Sequence, residues 1–450
     1  MRFDQHDIIV APATATGGAI AVIRVSGEGA VECCDKIFRG RTSLAAAKPY
    51  TVHYGEIVDG GRVLDDVLVT IFRAPHSYTG EDGVEISVHG SRYIVSEVMA
   101  LLVRHGARMA TAGEFSVRAF LAGKMDLSQA EAVADMIASS SRASHSLAST
   151  QMRGGYSASL AELRAKLLNV ASLVELELDF AEEEVEFADR SHLAAMLDDA
   201  AAQIEALCDS FRLGNAIKEG VATVIVGEPN VGKSTLLNRL VGEERAMTSD
   251  IAGTTRDTVE VMCNIDGVVF RFVDTAGLRD TDDQLEQMGI DRTMRALEQA
   301  RIVLQMVDAN VPEQSEAIVV GAEQTLIRVA NKIDKCAASA GRGADADDTI
   351  YISAKSGEGV DELRRQLRAT IDTERIYAGE TVISNGRHYE ALERASRALQ
   401  QARRALDEGL SGELLSEELR EILHHLGEIT GEVTSQDILT NIFSKFCIGK

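Results

Sequence analysis

The chain has 450 residues, 45% hydrophobic and 26% charged, with a formal net charge of −24. That length suggests about three domains. Runs of about 18 apolar residues, the mark of a membrane span, do not occur, and the early acids predict no secretory signal. So acidic a chain does not grip nucleic acid through a broad basic face; any RNA contact needs a local patch or a basic partner.

Residues 1–118 alternate short β-like runs with turns and read as an α+β module. Strands are predicted at 20–25, 63–72 and 84–89, the last with period-two alternation, and helices at 30–38 and 91–105. Residues 119–215 turn helical. There Leu160, Leu163 and Leu167 fall three to four apart, with Leu168 adjacent, as in a bundle. In the acidic run 175–189, Leu173, Leu176 and Phe180 predict one buried face beneath a solvated one.

Residues 216–375 read as an α/β domain. A hairpin is predicted where Asp266-Gly267 joins the runs 259–265 and 268–273. Runs at 302–307, 326–330 and 349–352 then alternate with helical stretches, predicting a mostly parallel sheet with helices on both faces. The Gly- and Ala-rich segment 337–348 reads as a loop. Residues 376–450 are helical again, at 386–407 and 416–429. The simplest architecture is a helical domain interrupted by the α/β domain.

The six cysteines, Cys33, Cys34, Cys208, Cys263, Cys336 and Cys447, form no CxxC pair. They fit a reducing cytoplasm better than a disulfide framework or a zinc site.

Gly227-Glu-Pro-Asn-Val-Gly-Lys-Ser234 matches G-x-x-x-x-G-K-[ST], the phosphate-binding loop. It follows the apolar run 221–226 and precedes a helical stretch, the strand–loop–helix context the motif requires. Asp274-Thr-Ala-Gly277, Asn331-Lys-Ile-Asp334 and Ser353-Ala354-Lys355 follow in the order and spacing of a GTPase. The expected nucleotide contacts are Asn230, Val231, Gly232, Lys233, Ser234 and Thr235 in the loop. Ser249, Asp250, Ile251, Ala252, Gly253, Thr254 and Thr255 form a switch segment. Asp274, Thr275, Ala276 and Gly277 lie at the γ-phosphate, and Asn331, Lys332, Asp334, Ser353, Ala354 and Lys355 around the base.

Each has a physical job. The glycines admit close backbone approach, and the loop amides and helix N-terminus bind anionic oxygens. Lys233 neutralises the β- and γ-phosphates, and Ser234 ligates Mg²⁺. Thr255 is the expected second Mg²⁺ ligand, with Asp274 as the acid near the metal. Asp334 accepts two hydrogen bonds from the guanine edge, a donor pair adenine lacks. At the position where Ras-like GTPases carry a water-orienting Gln, this chain has Leu278. Arg256 and Arg279 lie nearby in sequence, but neither is an obvious arginine finger.

These motifs, with Gly253-Thr-Thr-Arg-Asp257, Asp274-Thr-Ala-Gly-Leu-Arg279, Tyr78-Thr-Gly-Glu-Asp82, Gly113-Glu-Phe-Ser116 and the ending Phe446-Cys-Ile-Gly-Lys450, closely resemble the MnmE (TrmE) family of tRNA uridine-modification GTPases. The resemblance covers essentially the whole chain. It implies an α+β tetrahydrofolate-binding N-terminal domain that also drives homodimerisation, a helical bundle, and an inserted Ras-like GTPase domain. It implies K⁺-dependent hydrolysis, with Asn230, Ser249, Ile251 and Thr254 around the ion. There the ion's charge substitutes for an arginine finger. Glu286 is the implied water-positioning acid, and Cys447 lies at the implied modification site, in one-carbon transfer. Arg24, Glu81, Lys124 and Lys450 are the implied folate contacts, the folate being a 5-formyl or 5,10-methylene derivative. The implied partners are tRNA and a flavin-dependent MnmG (GidA) protein, joined in a heterotetramer.

Plainer readings stand beside these. Asn230 is also a turn residue after Pro229, Glu286 a solvated helix-start acid, and Cys447 a buried tail anchor. The folate-site charges are also surface ion-pair residues. Two rival functions remain at this level. One is a ribosome-assembly GTPase acting as an rRNA-binding switch; the other is a folate enzyme with a regulatory GTPase insert.

Overall fold

The computed structural model describes residues 7–179, 190–243, 260–273, 296–311, 318–336, 349–444, 446, 448 and 449. The chain divides into two compact units, Met1–Ala134 with Gly427–Lys450, and Asp135–Leu426.

The first unit is built on β1 (Ile8–Pro12), β2 (Ile20–Ser26), α1 (Ala30–Asp35), β3 (Phe38–Gly40), β4 (Val52–Asp59), β5 (Arg62–Phe72), β6 (Gly83–His89), α2 (Arg92–Arg104), β7 (Ala107–Met109) and α3 (Glu114–Leu121). The strands form one sheet in the order β3-β4-β5-β6-β2-β1-β7. Alternation sets its faces. Val67, Val69 and Ile71 of β5 and Val84, Ile86 and Val88 of β6 are buried in one core with Val95, Val98 and Leu102 of α2. The opposite parity leaves Tyr54 and Leu68, cross-strand partners, 68% and 49% exposed. The predicted helix 30–38 stops at Asp35, because Phe38 opens β3 instead. Its ring lies across two glycines: a Cβ at Gly40 or Gly55 would come within 2.5 Å of it.

The tail closes this unit. Helix Gln436–Phe443 places Leu439 and Phe443 in a core with Val117 and Leu127, and Phe446 joins them. Ile448 pairs with Ala112 as an antiparallel bridge.

Chain order continues with α4 (Leu127–Ala138), α5 (Arg142–Met152), α6 (Gly155–Asp179) and α7 (Arg190–Glu219). On α6, Leu160, Leu163, Leu167, Val170 and Val174 are buried, a 3–4 spacing that lines one face. Leu168 and Leu176, expected inside, are 50% and 43% exposed, since Val170 and Val174 continue the buried stripe in their stead. Leu173 is half-buried, and Phe180 lies outside the described residues.

The nucleotide-binding part follows as β8 (Val221–Val226), α8 (Lys233–Glu243), β9 (Glu260–Ile265), β10 (Val268–Val273), β11 (Ile302–Asp308), β12 (Thr325–Asn331), β13 (Thr349–Tyr351) and α9 (Val360–Ala369). Its sheet runs β13-β12-β11-β8-β10-β9. All neighbours are parallel except β9 on β10, the expected Asp266-Gly267 hairpin. Phe270, Phe272, Leu304 and Val329 are buried, and α8 and α9 contribute Leu236, Leu240, Leu363 and Leu367 to the same core. Each such side chain stabilises the fold by about 1.5–3 kcal/mol. Three helices complete the chain before the tail: α10 (Glu374–Tyr377), α11 (Gly386–Asp407) and α12 (Gly412–Thr430).

Candidate functional site

In an open parallel sheet ligands sit beyond the carboxyl ends of the strands. Here the ends of β8, β11 and β12 deliver Gly227, Asp308 and Asn331 to one edge. A cleft of about 480 Å³ opens there, lined among others by Gly227, Glu228, Pro229, Met306, Asp308 and Lys332.

The loop's backbone is specified by its residue types. Gly227 has φ +152°, and a Cβ there would lie 2.2 Å from the carbonyl oxygen of Met306. At Gly232, φ +106°, a Cβ would lie 2.2 Å from Nδ2 of Asn331. Asn230 adopts φ +64°, a left-handed conformation that Asn tolerates better than most residues. Lys233, first residue of α8, donates from Nζ to the carbonyl oxygens of Gly227 at 2.6 Å and Glu228 at 2.9 Å, so it lies over the loop. Ser234 and Thr235 are exposed at the positive end of α8.

Asn331 is 3% exposed and joins three segments. Its Nδ2 donates to Val231 O at 2.7 Å, and its Oδ1 accepts from the Ala354 amide at 2.9 Å. Beside it, Ser353 Oγ donates to Asp334 Oδ1 at 2.7 Å, and this bond holds the exposed Asp334 carboxyl below the usual range. That bond fixes the orientation of the Asp334 carboxylate, an acceptor through both oxygens. Lys332, in the left-handed region at φ +72°, pairs with Asp308 at 2.8 Å. That contact, with bonds from Asn310, holds Asp308 down at about 2. Lys355 is exposed next to Ala354.

The expected residues of the phosphate loop and base pocket therefore come together. Ser249 to Thr255, Asp274 to Gly277, Leu278 and Glu286 lie outside the described residues. So do Cys447 and Lys450.

The first unit holds a second, smaller cleft of about 120 Å³, lined by residues including Arg24, Ser26, Phe72, Tyr78, Thr79 and Glu85. Arg24 pairs with Glu85 at 2.9 Å, lies over the rings of Tyr78 (5.3 Å) and Phe115 (5.8 Å), and donates to Gly449 O at 3.2 Å. Glu81 accepts from Ser26 Oγ at 2.8 Å and Arg118 Nη1 at 3.1 Å. Lys124 donates to Pro75 O and runs over Gly80, where a Cβ would stand 3.1 Å from its Cε. Of the expected contacts Arg24 lines this cleft, while Glu81 bonds to Ser26 of its wall and Lys124 runs over Gly80; Glu85 rather than Glu81 faces Arg24. Glu85 is not among the expected contacts, although the pairing of β2 and β6 puts it opposite Arg24.

Comparisons with known proteins agree over the whole chain. A family model described as the MnmE helical domain matches residues 127–447, and one described as the GTP-binding protein TrmE N-terminus matches residues 8–124. A tRNA modification GTPase MnmE of Bacteroides thetaiotaomicron is 49% identical over 464 residues, 99% of this chain and 100% of the relative. That of Cytophaga hutchinsonii is 49% identical over 454 residues, 99% of this chain and 98% of the relative. Among solved structures, Aquifex aeolicus Era bound to GDP·AlF4⁻ aligns at 28% identity over 40% of this chain and 66% of its own, with a TM-score of 0.27.

Proposed function

The chain belongs to the MnmE family of tRNA modification GTPases, and from that premise we propose that it hydrolyses GTP, dependent on K⁺, within a complex that modifies C5 of the wobble uridine of tRNA with an aminomethyl or carboxymethylaminomethyl group. The observation that carries the nucleotide part is the bond set of Asn331, which ties the phosphate loop at Val231 to the base loop at Ala354. In this reading residues 1–118 bind folate and dimerise, 119–215 and 376–450 form the helical domain, and 216–375 the GTPase domain.

In this reading the loop amides and Lys233 hold the phosphates, and Asp334 accepts from the guanine edge while Ser353 orients it. Ser234 and Asn230 are the described donors for Mg²⁺ and K⁺; Thr255 serves Mg²⁺, while Ser249, Ile251 and Thr254 complete the K⁺ set. The bound cations supply positive charge to the phosphate oxygens. The exposed hydroxyl of Ser234 at the helix start and the left-handed turn at Asn230 suit those roles. Glu286 positions the attacking water in place of a residue at Leu278.

The cleft at Arg24 is read as the folate site. Its Arg24–Glu85 pair and the Tyr78 ring beneath Arg24 fit a planar, hydrogen-bonding ring with a carboxylate tail. At about 120 Å³ it holds only part of such a ligand. A tetrahydrofolate derivative supplies a one-carbon unit when bound. The tail supports a role for Cys447 nearby, since Gly449 O accepts from Arg24. Homodimerisation is assigned to the N-terminal module, where Tyr54 and Leu68 lie exposed on the sheet. An FAD-dependent MnmG-type protein completes a cytoplasmic heterotetramer and brings surface for tRNA.

The ribosome-assembly alternative is not favoured, because relatives 49% identical over nearly the entire chain carry the tRNA-modification name. The test is nucleoside analysis of tRNA from cells lacking this protein, complemented with wild type or Lys233→Ala. The expected result is C5-modified wobble uridine with wild type alone. Modification that persists with Lys233→Ala would instead identify a folate enzyme with a regulatory GTPase insert.

A further inference from the structure

The side chain of Arg239, two turns into α8, reaches the loop that follows β13. Its Nη2 donates to Lys355 O at 2.5 Å and its Nε to Ala354 O at 3.4 Å. Gly357 lies beside it: a Cβ there would meet Nη1 at 3.5 Å, an ordinary contact distance. The amide of Ala354 is bonded on the other side to Asn331 Oδ1, and Asn331 bonds Val231 O. The path from Val231 through Asn331 and Ala354 to Arg239 is therefore closed by the chain itself, eight residues along from Val231 through α8. Ser353, the residue before Ala354, holds Asp334.

We propose that Arg239 is a positioning residue for guanine recognition, a strut that carries the base-closing loop on the helix of the phosphate loop. The inference rests on the GTP reading above. Arg239 touches no nucleotide in this role. It fixes two carbonyls of residues 354 and 355, so that Ala354 stays against Asn331 and Ser353 against Asp334. A guanidinium suits the task, because its fixed fork of donors serves two adjacent carbonyls at once. Without it, among the described contacts, Ala354 keeps its bond to Asn331 and Ser353 its bonds to Asp334 and Glu358, and the base pocket opens more often.

The experiment compares wild type, Arg239→Ala and Arg239→Lys in the full chain. It measures dissociation of a fluorescent GDP analogue by stopped flow, competition by GTP against ITP, steady-state kinetics and melting temperature. Inosine lacks the exocyclic amine, so the GTP-over-ITP ratio reads how well Asp334 is placed. The expected result for Arg239→Ala is dissociation roughly tenfold faster, consistent with loss of a charge-assisted bond. The GTP-over-ITP ratio falls, and the effect lies on KM more than on kcat. Arg239→Lys, which keeps one donor, falls between. Wild-type dissociation and ratio in a folded Arg239→Ala chain would overturn the proposal. So would faster dissociation at an unchanged ratio, which makes Arg239 a general stabiliser. If Arg239→Ala does not fold, a wild-type ratio in Arg239→Lys overturns it as well. A wild type that binds no GDP analogue would instead overturn the GTP reading itself.

Discussion

The carbonyl oxygen of Gly267 accepts a hydrogen bond from the backbone N–H of Ala143 at 3.0 Å. Gly267 is the tip of the β9–β10 hairpin, and Ala143 lies in the first turn of α5, where helix amides have no partner within the helix. The nucleotide-binding sheet thus fills a vacancy at the start of a bundle helix. Ala143 and Leu147 are buried in the same core as Phe270 and Phe272, and Arg142 lies over the ring of Tyr377 at 5.0 Å. Strands β9 and β10 run from this joint toward the segments expected to sense the γ-phosphate.

Gly267→Ala should weaken the joint. Its φ is +82°, and a Cβ would stand 3.2 Å from Cβ of Arg142 and 3.4 Å from the Tyr377 hydroxyl. A destabilisation of about 1–3 kcal/mol is expected from the backbone strain, with more from the crowding. Gly60→Ala, at φ +54° with nothing within 4 Å, serves as the strain-only control. Urea unfolding of both variants is the measurement. An equal loss in the two would mean that the contacts at Gly267 contribute nothing.

Acid should loosen the N-terminal module through Glu114. Burial pushes this carboxyl up, but bonds from Arg108 and from the amide and hydroxyl of Thr111 outweigh it and hold it at about 2, against an ordinary 4.5. A folded value below the unfolded one stabilises above the unfolded value and is lost as pH falls through the folded one. The loss therefore runs from about pH 4.5 down to 2. At about 1.4 kcal/mol per unit the contribution at neutral pH is roughly 3 kcal/mol. Glu114→Gln should lower stability at pH 7 and flatten the acid limb of the stability profile. An unchanged acid limb would move that linkage to other carboxyls.

Hydrolysis should need K⁺. Asn230→Gly is the informative variant, because it keeps the left-handed turn at φ +64° while removing the side chain and with it the carbonyl oxygen. Replacing K⁺ by Na⁺ should slow the wild type at least tenfold, and Asn230→Gly should be slow in both salts. Glu286→Ala should lower kcat with little change in GTP affinity. Equal wild-type rates in the two salts would remove the potassium reading. A large loss of affinity in Glu286→Ala would make that residue part of the pocket wall.

What was legible in the sequence was what local chemistry dictates. The Asp266-Gly267 hairpin, the phosphate loop between β8 and α8, and the mostly parallel pairing of the sheet all follow from turn residues and apolar runs. The misses have tertiary causes. Phe38 belongs to a strand because its ring lies across Gly40 and Gly55, and Gly55 sits on the neighbouring strand, outside any local window around residue 38. Leu168 and Leu176 satisfy helical spacing, yet Val170 and Val174 take the buried stripe. Arg239 and Glu85 matter through partners more than 60 residues away: Ala354 and Lys355 for one, Arg24 for the other.

The tail yields the sharpest separation of hydrolysis from modification. Phe446 is buried, Ile448 is bridged to Ala112, and a Cβ at Gly449 would lie 2.1 Å from Pro12 O, so the residues flanking Cys447 are held against β1 and the cleft at Arg24. Serine at 447 keeps the size and loses the thiolate as nucleophile. Cys447→Ser should therefore hydrolyse GTP at the wild-type rate and leave wobble uridine unmodified, read by nucleoside analysis of tRNA from complemented cells. Gly449→Ala supplies the structural counterpart: it should displace the tail from Pro12 and lose modification with Cys447 intact. Normal modification in Cys447→Ser, with loss in Gly449→Ala, would make the tail a packing element and place the carbon-transfer chemistry on other residues of the cleft.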